Sequence, residues 1–136
     1  MAVFTSTAEA EKYIGEVFED SFTVPATRDT LVKSGLVMRI NLSDPEGLVV
    51  CDMPNQKVYR GTDAAAVEPN VTLTMSSDTA NKFWQGKVSL PLALARGTVK
   101  LSGSKVKVLG LLPAAKPIQR MYIEKLTKQG RNDLIA

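Results

Sequence analysis

The spacing of apolar residues changes repeatedly along the chain. Ile14, Val17, Phe18 and Phe22 recur at helical spacing behind Ser6-Thr-Ala-Glu9, a capping-box sequence, and predict an amphipathic helix over about 7–22. Pro25 suits the first turn of a second short helix carrying Leu31 and Val32, and Gly35 suits its stop. The period then becomes two. Leu36, Met38, Ile40 and Leu42 alternate with Val37, Arg39 and Asn41, the pattern of a half-buried strand. Asp44-Pro45-Glu46-Gly47 is a turn, 48–53 a second strand, Pro54-Asn55 a second turn and 56–60 a third strand. Two short turns between three strands imply an antiparallel meander.

Residues 61–70 read as a connector. Val71, Leu73 and Met75 alternate with threonines in a fourth strand. Ser76 or Ser77 then caps a short helix whose Ala80, Phe83 and Trp84 share a face, ended by Gly86. Ser89-Leu90-Pro91 opens another, apolar nearly all round and therefore expected to be largely buried, ended by Gly97. Val99 and Leu101 mark a fifth strand closed by Gly103, and Ser104 caps a helical piece with Val106, Leu109 and Leu112. Pro113 is expected to interrupt it. Pro117 opens the last helix, where Ile118, Met121, Tyr122 and Leu126 form a stripe ended by Gly130, and RNDLIA reads as a frayed tail. Helices segregated from a mainly antiparallel sheet make an α+β fold. Arg39, Asn41, Lys57, Thr72, Thr74 and Lys100 place the other sheet face toward water. The expectation is one domain over 1–136, with 1–30 a helical N-terminal extension.

Composition mainly removes chemistries. The 136 residues contain no histidine, which excludes a Ser-His-Asp triad, a Cys-His pair and every His-containing metal site. The single Cys51 permits neither an internal disulfide nor a thiolate zinc cluster, and no acidic cluster asks for magnesium. No metal, no cofactor and no catalytic residue is therefore expected. No apolar run reaches the ~20 residues of a membrane span, and MAVFTSTAEAEKY lacks a signal-peptide layout, so a reducing, cytoplasmic setting is the expectation. Charge is uneven: residues 1–70 carry 11 acids and 6 bases, residues 71–136 carry 3 acids and 11 bases. The basic half is either a solvated face or an attraction toward an anionic membrane surface, an acidic partner or an anionic ligand head group. Its scattered bases lack interleaved aromatics, so no nucleic acid is expected. A homodimer stays open, although no heptad supports one.

Phe83-Trp84-Gln85-Gly86, then Ala93 and Ala95, then Gly97-Thr-Val-Lys-Leu-Ser-Gly103 and Leu109-Gly-Leu-Leu112 follow one another at defined spacings. With the strand Asn70 to Met75 before them, and more loosely back to Leu31, this set resembles the sterol carrier protein type 2 family. The chain looks like a freestanding, bacterial-type relative; its end, Leu134-Ile135-Ala136, is not a peroxisomal address. The resemblance implies a five-stranded sheet with helices covering one face and a hydrophobic tunnel between them. It implies binding of sterols, fatty acids, acyl-coenzyme A or phospholipids without covalent chemistry.

A lipid tail needs a wall without charges and with adaptable side chains, and five methionines suit that. The candidate lipid-binding residues are Met38, Leu73, Met75, Phe83, Trp84, Leu90, Leu94, Leu101, Val106 and Leu109, with Met121, Tyr122 and Leu126 from the last helix closing one side. The bland alternative is that these residues are plain core. A second reading is a small enzyme acting on an apolar intermediate in the same cavity, with Asp52, Tyr59, Tyr122 or Arg96 moving protons. A third is an interaction module docking through the basic half. For Asp52 the alternative role is to cap a turn, and for Cys51 to fill space.

Overall fold

Ser6 starts the first helix, α1 (Thr7–Ser21), as the capping sequence predicts: its Oγ accepts the Glu9 N–H at 3.1 Å. The Glu9 carboxylate reaches back to the Thr5 N–H instead of to Ser6. The computed structural model describes residues 3–136; Met1, one of the five methionines, lies outside the described residues. α2 (Pro25–Ser34) follows, with Leu31 buried and Gly35 in the left-handed conformation that closes the helix.

β1 (Val37–Ser43), β2 (Gly47–Asp52) and β3 (Lys57–Arg60) form the expected antiparallel meander. The next segment departs from expectation. The connector contains a five-residue helix, α3 (Gly61–Ala65), which packs against β2 and β3 and buries Ala64. A helix this short shows no period in the sequence. β4 (Val71–Ser76) then pairs parallel with β1, and β5 (Lys100–Gly103) pairs antiparallel with β4. The order is β3-β2-β1-β4-β5, a mixed sheet. β3 runs in the same direction as β1, so residues 61–70 must return to the starting end before β4 begins; that return is what makes the central pair parallel. At Gly103 (φ 114°) an added Cβ would stand 2.8 Å from the Asn70 carbonyl oxygen, so only glycine lets β5 close against β4 there.

Cross-strand partners share a face, which places Met38, Ile40, Leu42, Val49, Cys51, Val71, Leu73 and Met75 together under the helices. The opposite face is polar: Arg39 donates to Asn41, and Asn41 to Thr74. Four further helices complete the cover. These are α4 (Ser77–Phe83), α5 (Leu90–Arg96), α6 (Lys105–Leu109) and α7 (Leu112–Lys128).

Three expectations fail here for physical reasons. α5 buries only Leu90 and Ala93, and Leu92 is 48% exposed, so its apolar composition does not make it a core helix. Pro113 does not interrupt α7 but sits in its first turn, where no N–H is needed, and Pro117 lies inside the helix. The C-terminal residues are not frayed. Asn132–Leu134 form a 3₁₀ turn and Leu134 is buried, its carbonyl accepting from Asn81 Nδ2 (2.8 Å) and Gln85 Nε2 (2.9 Å).

Candidate functional site

Between sheet and cover the packing leaves two adjoining voids. The first, about 40 Å³, lies among Ile14 and Phe18 of α1, Met38, Ile40, Leu73 and Met75 of the sheet, and Ala80, Phe83, Trp84, Leu90 and Val99. The second, about 60 Å³, shares Phe18, Met38, Leu73, Phe83, Trp84 and Leu90 with it and continues between Leu31, Val108, Leu111, Leu112, Ala115 and Ile118. Among the described residues, no ionisable side chain lines either void. Trp84 is the hinge of the aromatic wall: its ring meets Phe18 edge-on at 5.5 Å and Phe83 at 4.9 Å between centroids.

Of the residues singled out in the sequence, Met38, Leu73, Met75, Phe83, Trp84 and Leu90 line these voids. The other seven lie elsewhere. Leu94 and Leu101 line a shallow surface groove between α5, β5 and α6. Val106 is 82% exposed, because α6 is one and a half turns long and buries Val108 from the opposite side. Leu109 packs against the core edge without reaching a void. Met121 lies in a surface cleft with Asp20 and Lys125. Tyr122 and Leu126 are buried in the core beyond the voids.

The proton-transfer candidates are also placed away from the voids. Tyr122 donates to Asn81 Oδ1 at 2.5 Å, and burial pushes its phenol well above the usual range. Asp52 lies on the outer-face parity and caps the β2–β3 turn, accepting from the Asn55 N–H (3.2 Å) and Asn55 Nδ2 (2.9 Å). Tyr59 stands opposite Val50 on that same outer face, and Arg96 is exposed. Cys51 is wholly buried, and burial pushes its thiol up.

No protein-family model matches the chain, and no curated protein sequence does. Solved structures do match. The sterol carrier protein domain 2 of Helicoverpa armigera aligns with a TM-score of 0.65 at 20% identity, covering 79% of this chain and 86% of that one. Sterol carrier protein 2 from Yarrowia lipolytica, in its apo form, aligns at 0.62 and 20% over 78% and 89%. Sterol carrier protein 2 from Aedes aegypti, in complex with the C16 fatty acid palmitate, aligns at 0.60 and 18% over 79% and 94%. The chain has the sterol carrier protein 2 fold.

Within the sterol carrier protein 2 fold of this chain, α1 is an integral part of the cover. Phe18 roofs both voids and Ile14 the first, although the pattern marked them only as a helix stripe. Ile40, Ala80 and Val99 were readable as buried positions on the strand and helix parities already identified. Leu31, Val108, Leu111, Leu112, Ala115 and Ile118 come together only through tertiary packing.

Proposed function

We propose that the protein binds a hydrophobic ligand of the fatty acid, acyl-coenzyme A, phospholipid or sterol-like class between its sheet and its helical cover, without catalysis, and transfers or presents it. The observation that carries this reading is the pair of adjoining voids lined by apolar side chains alone, in a fold whose Aedes aegypti representative holds palmitate. The placement of Asp52, Tyr59, Tyr122 and Arg96 away from the voids favours a carrier over an enzyme.

Size and energy then constrain how binding occurs. Each void is smaller than the ~150 Å³ apolar cavity that admits benzene. An acyl chain therefore enters only as the cover parts. Each methylene taken from water contributes about 0.8 kcal/mol, so about eight of them supply roughly 6 kcal/mol against the costs of association and opening. The cover parts where it is least tied. Apart from their own caps, Ser89 and Ser104, α5 and α6 make no side-chain hydrogen bond to another element among the described residues. α4 is better held: its Phe83 carbonyl accepts from Gln119 Nε2 at 2.9 Å, and Asn81 is bound to Tyr122.

The test is displacement of a fluorescent fatty acid by palmitate, together with native mass spectrometry of the protein as purified. Ala115→Leu fills the larger void at a cost of no more than about 3 kcal/mol, which circular dichroism and denaturation check. The expected result is displacement by the unaltered protein and affinity at least about tenfold weaker in A115L, corresponding to about 1.4 kcal/mol. Absence of displacement together with absence of bound lipid, or unchanged affinity in A115L, removes the proposal.

A further inference from the structure

Residues 79–123 contain eight lysines and arginines and not one acid. All eight are exposed, and among the described residues none of them is ion-paired, whereas Arg28, Arg60, Lys125 and Arg131 all are. Such a stretch carries a local excess of eight positive charges, which raises the potential around it.

The same segment carries the two most exposed large apolar side chains of the described residues, Val106 at 82% and Leu92 at 48%. Their positions relative to the bases follow from the helices. Val106 lies between Lys105 and Lys107 at the start of α6. Leu92 and Arg96 are four residues apart on α5 and therefore share a face. Leu92 and Val106 each stand two residues from the void-lining residue of their helix, Leu90 and Val108, and so point away from the core; between the helices runs a groove lined by Leu94, Val99 and Leu101, with Lys100 and Lys105 at it. The chemistry is thus aliphatic tips among long-stemmed cations. Aliphatic tips gain by entering a hydrocarbon layer, while the lysine heads stay at the level of anionic head groups.

We propose that the α5–β5–α6 edge is a docking face for an anionic bilayer surface, with Leu92 and Val106 inserted and Arg96, Lys100, Lys105 and Lys107 at the head groups. An acidic protein would match the charge but leaves the exposed aliphatic pair unexplained. The choice of a bilayer rests on the lipid-binding reading above. The face and the site are mechanically joined: α5 supplies Leu90 and α6 supplies Val108 to the void walls, so docking engages the two least-tied helices of the cover.

The experiment is cosedimentation of the whole chain with phosphatidylcholine vesicles, with and without phosphatidylserine, at low and high salt. The expected result is binding only to the phosphatidylserine vesicles, lost at high salt. Each lysine removed, Lys105→Ala or Lys107→Ala, lowers partitioning about fivefold. Val106→Asp abolishes it, and Lys33→Glu on α2 leaves it unchanged. Absence of vesicle binding overturns the proposal, as do equal binding to both vesicle types or insensitivity to V106D. Salt-sensitive binding to soluble polyglutamate with none to vesicles overturns it in favour of an acidic macromolecule. Fatty acid displacement without vesicles separates the two readings. V106D keeps displacement and loses vesicles; a protein that binds vesicles but displaces nothing leaves the docking face standing and removes the internal lipid site.

Discussion

Charge ties α1 and the C-terminal half of α7 to each other and to the sheet, while α5 and α6 make no ion pair among the described residues. Lys125 of α7 reaches Glu16 at 2.9 Å and Asp20 at 2.6 Å on α1. Arg60 of β3 lies across α1, donating to the Glu11 carbonyl at 3.0 Å and to Glu19 at 2.7 Å. Glu11 in turn accepts the Leu48 N–H of β2 at 2.9 Å, and Arg131 bridges Glu9 and Asp133. The eight bases of 79–123 pair with nothing among the described residues, the four at 96–107 included. Exposed pairs contribute only about 0–1 kcal/mol each, so these ties chiefly fix geometry. The contrast separates a frame of sheet, α1 and α7 from a flap of α5 and α6.

Truncations should read this contrast out in stability. Phe18→Ala removes a 2%-exposed ring that roofs both voids from the frame side, and is expected to cost about 3–5 kcal/mol in urea denaturation. Leu92→Ser on the flap should stay within about 0.5 kcal/mol of the unaltered protein. Equal losses would erase the distinction between the halves.

Gly15 gives a narrower test. Alanine in a helix interior normally stabilises by about 0.5–1 kcal/mol over glycine. Here the added Cβ would lie 2.5 Å from Arg60 Nη2 and 2.6 Å from its Cζ, so the guanidinium that crosses α1 must leave. The guanidinium ends a flexible side chain and its exposed pair contributes only about 0–1 kcal/mol, so Gly15→Ala should forfeit the usual gain and stay within about 0.5 kcal/mol of the unaltered protein. A gain in stability would show that Arg60 does not need that place.

The remaining effect is in pH. Burial works against the Lys125 charge, but its hydrogen bonds to Asp20 and Glu16 prevail and hold its pKa above the ordinary lysine value. A raised pKa contributes stability that is full below the ordinary value and is lost as pH rises through the raised one. Tyr122 and Cys51, pushed up by burial, act in the same direction. With no histidine, the melting temperature should be flat from about pH 5 to 8 and fall above about pH 9. Lys125→Met should lower the plateau by about 1 kcal/mol or less. A transition between about pH 6 and 8 would contradict this.

Much of the fold was legible because its signals are local. Ser6, Ser76, Ser89 and Ser104 each cap the helix their sequence announces, and Gly35 and Gly97 end theirs in the left-handed region. The β1 alternation gave its buried face directly. What was not legible depends on partners distant in sequence. A helix stripe states that Phe18 is covered, not that it covers a void shared with Leu73 and Ile118. Val106 and Val108 are equally apolar, and five residues are too few to tell which faces inward. Leu134 looked free because its partners, Asn81 and Gln85, lie some fifty residues away.

The most direct measurement is hydrogen exchange by mass spectrometry with and without palmitate. A cover that parts at its untied side to admit an acyl chain predicts increased protection in residues 86–112, with α1 and the C-terminal half of α7 unchanged. No change in 86–112, or the same change throughout the chain, would contradict it.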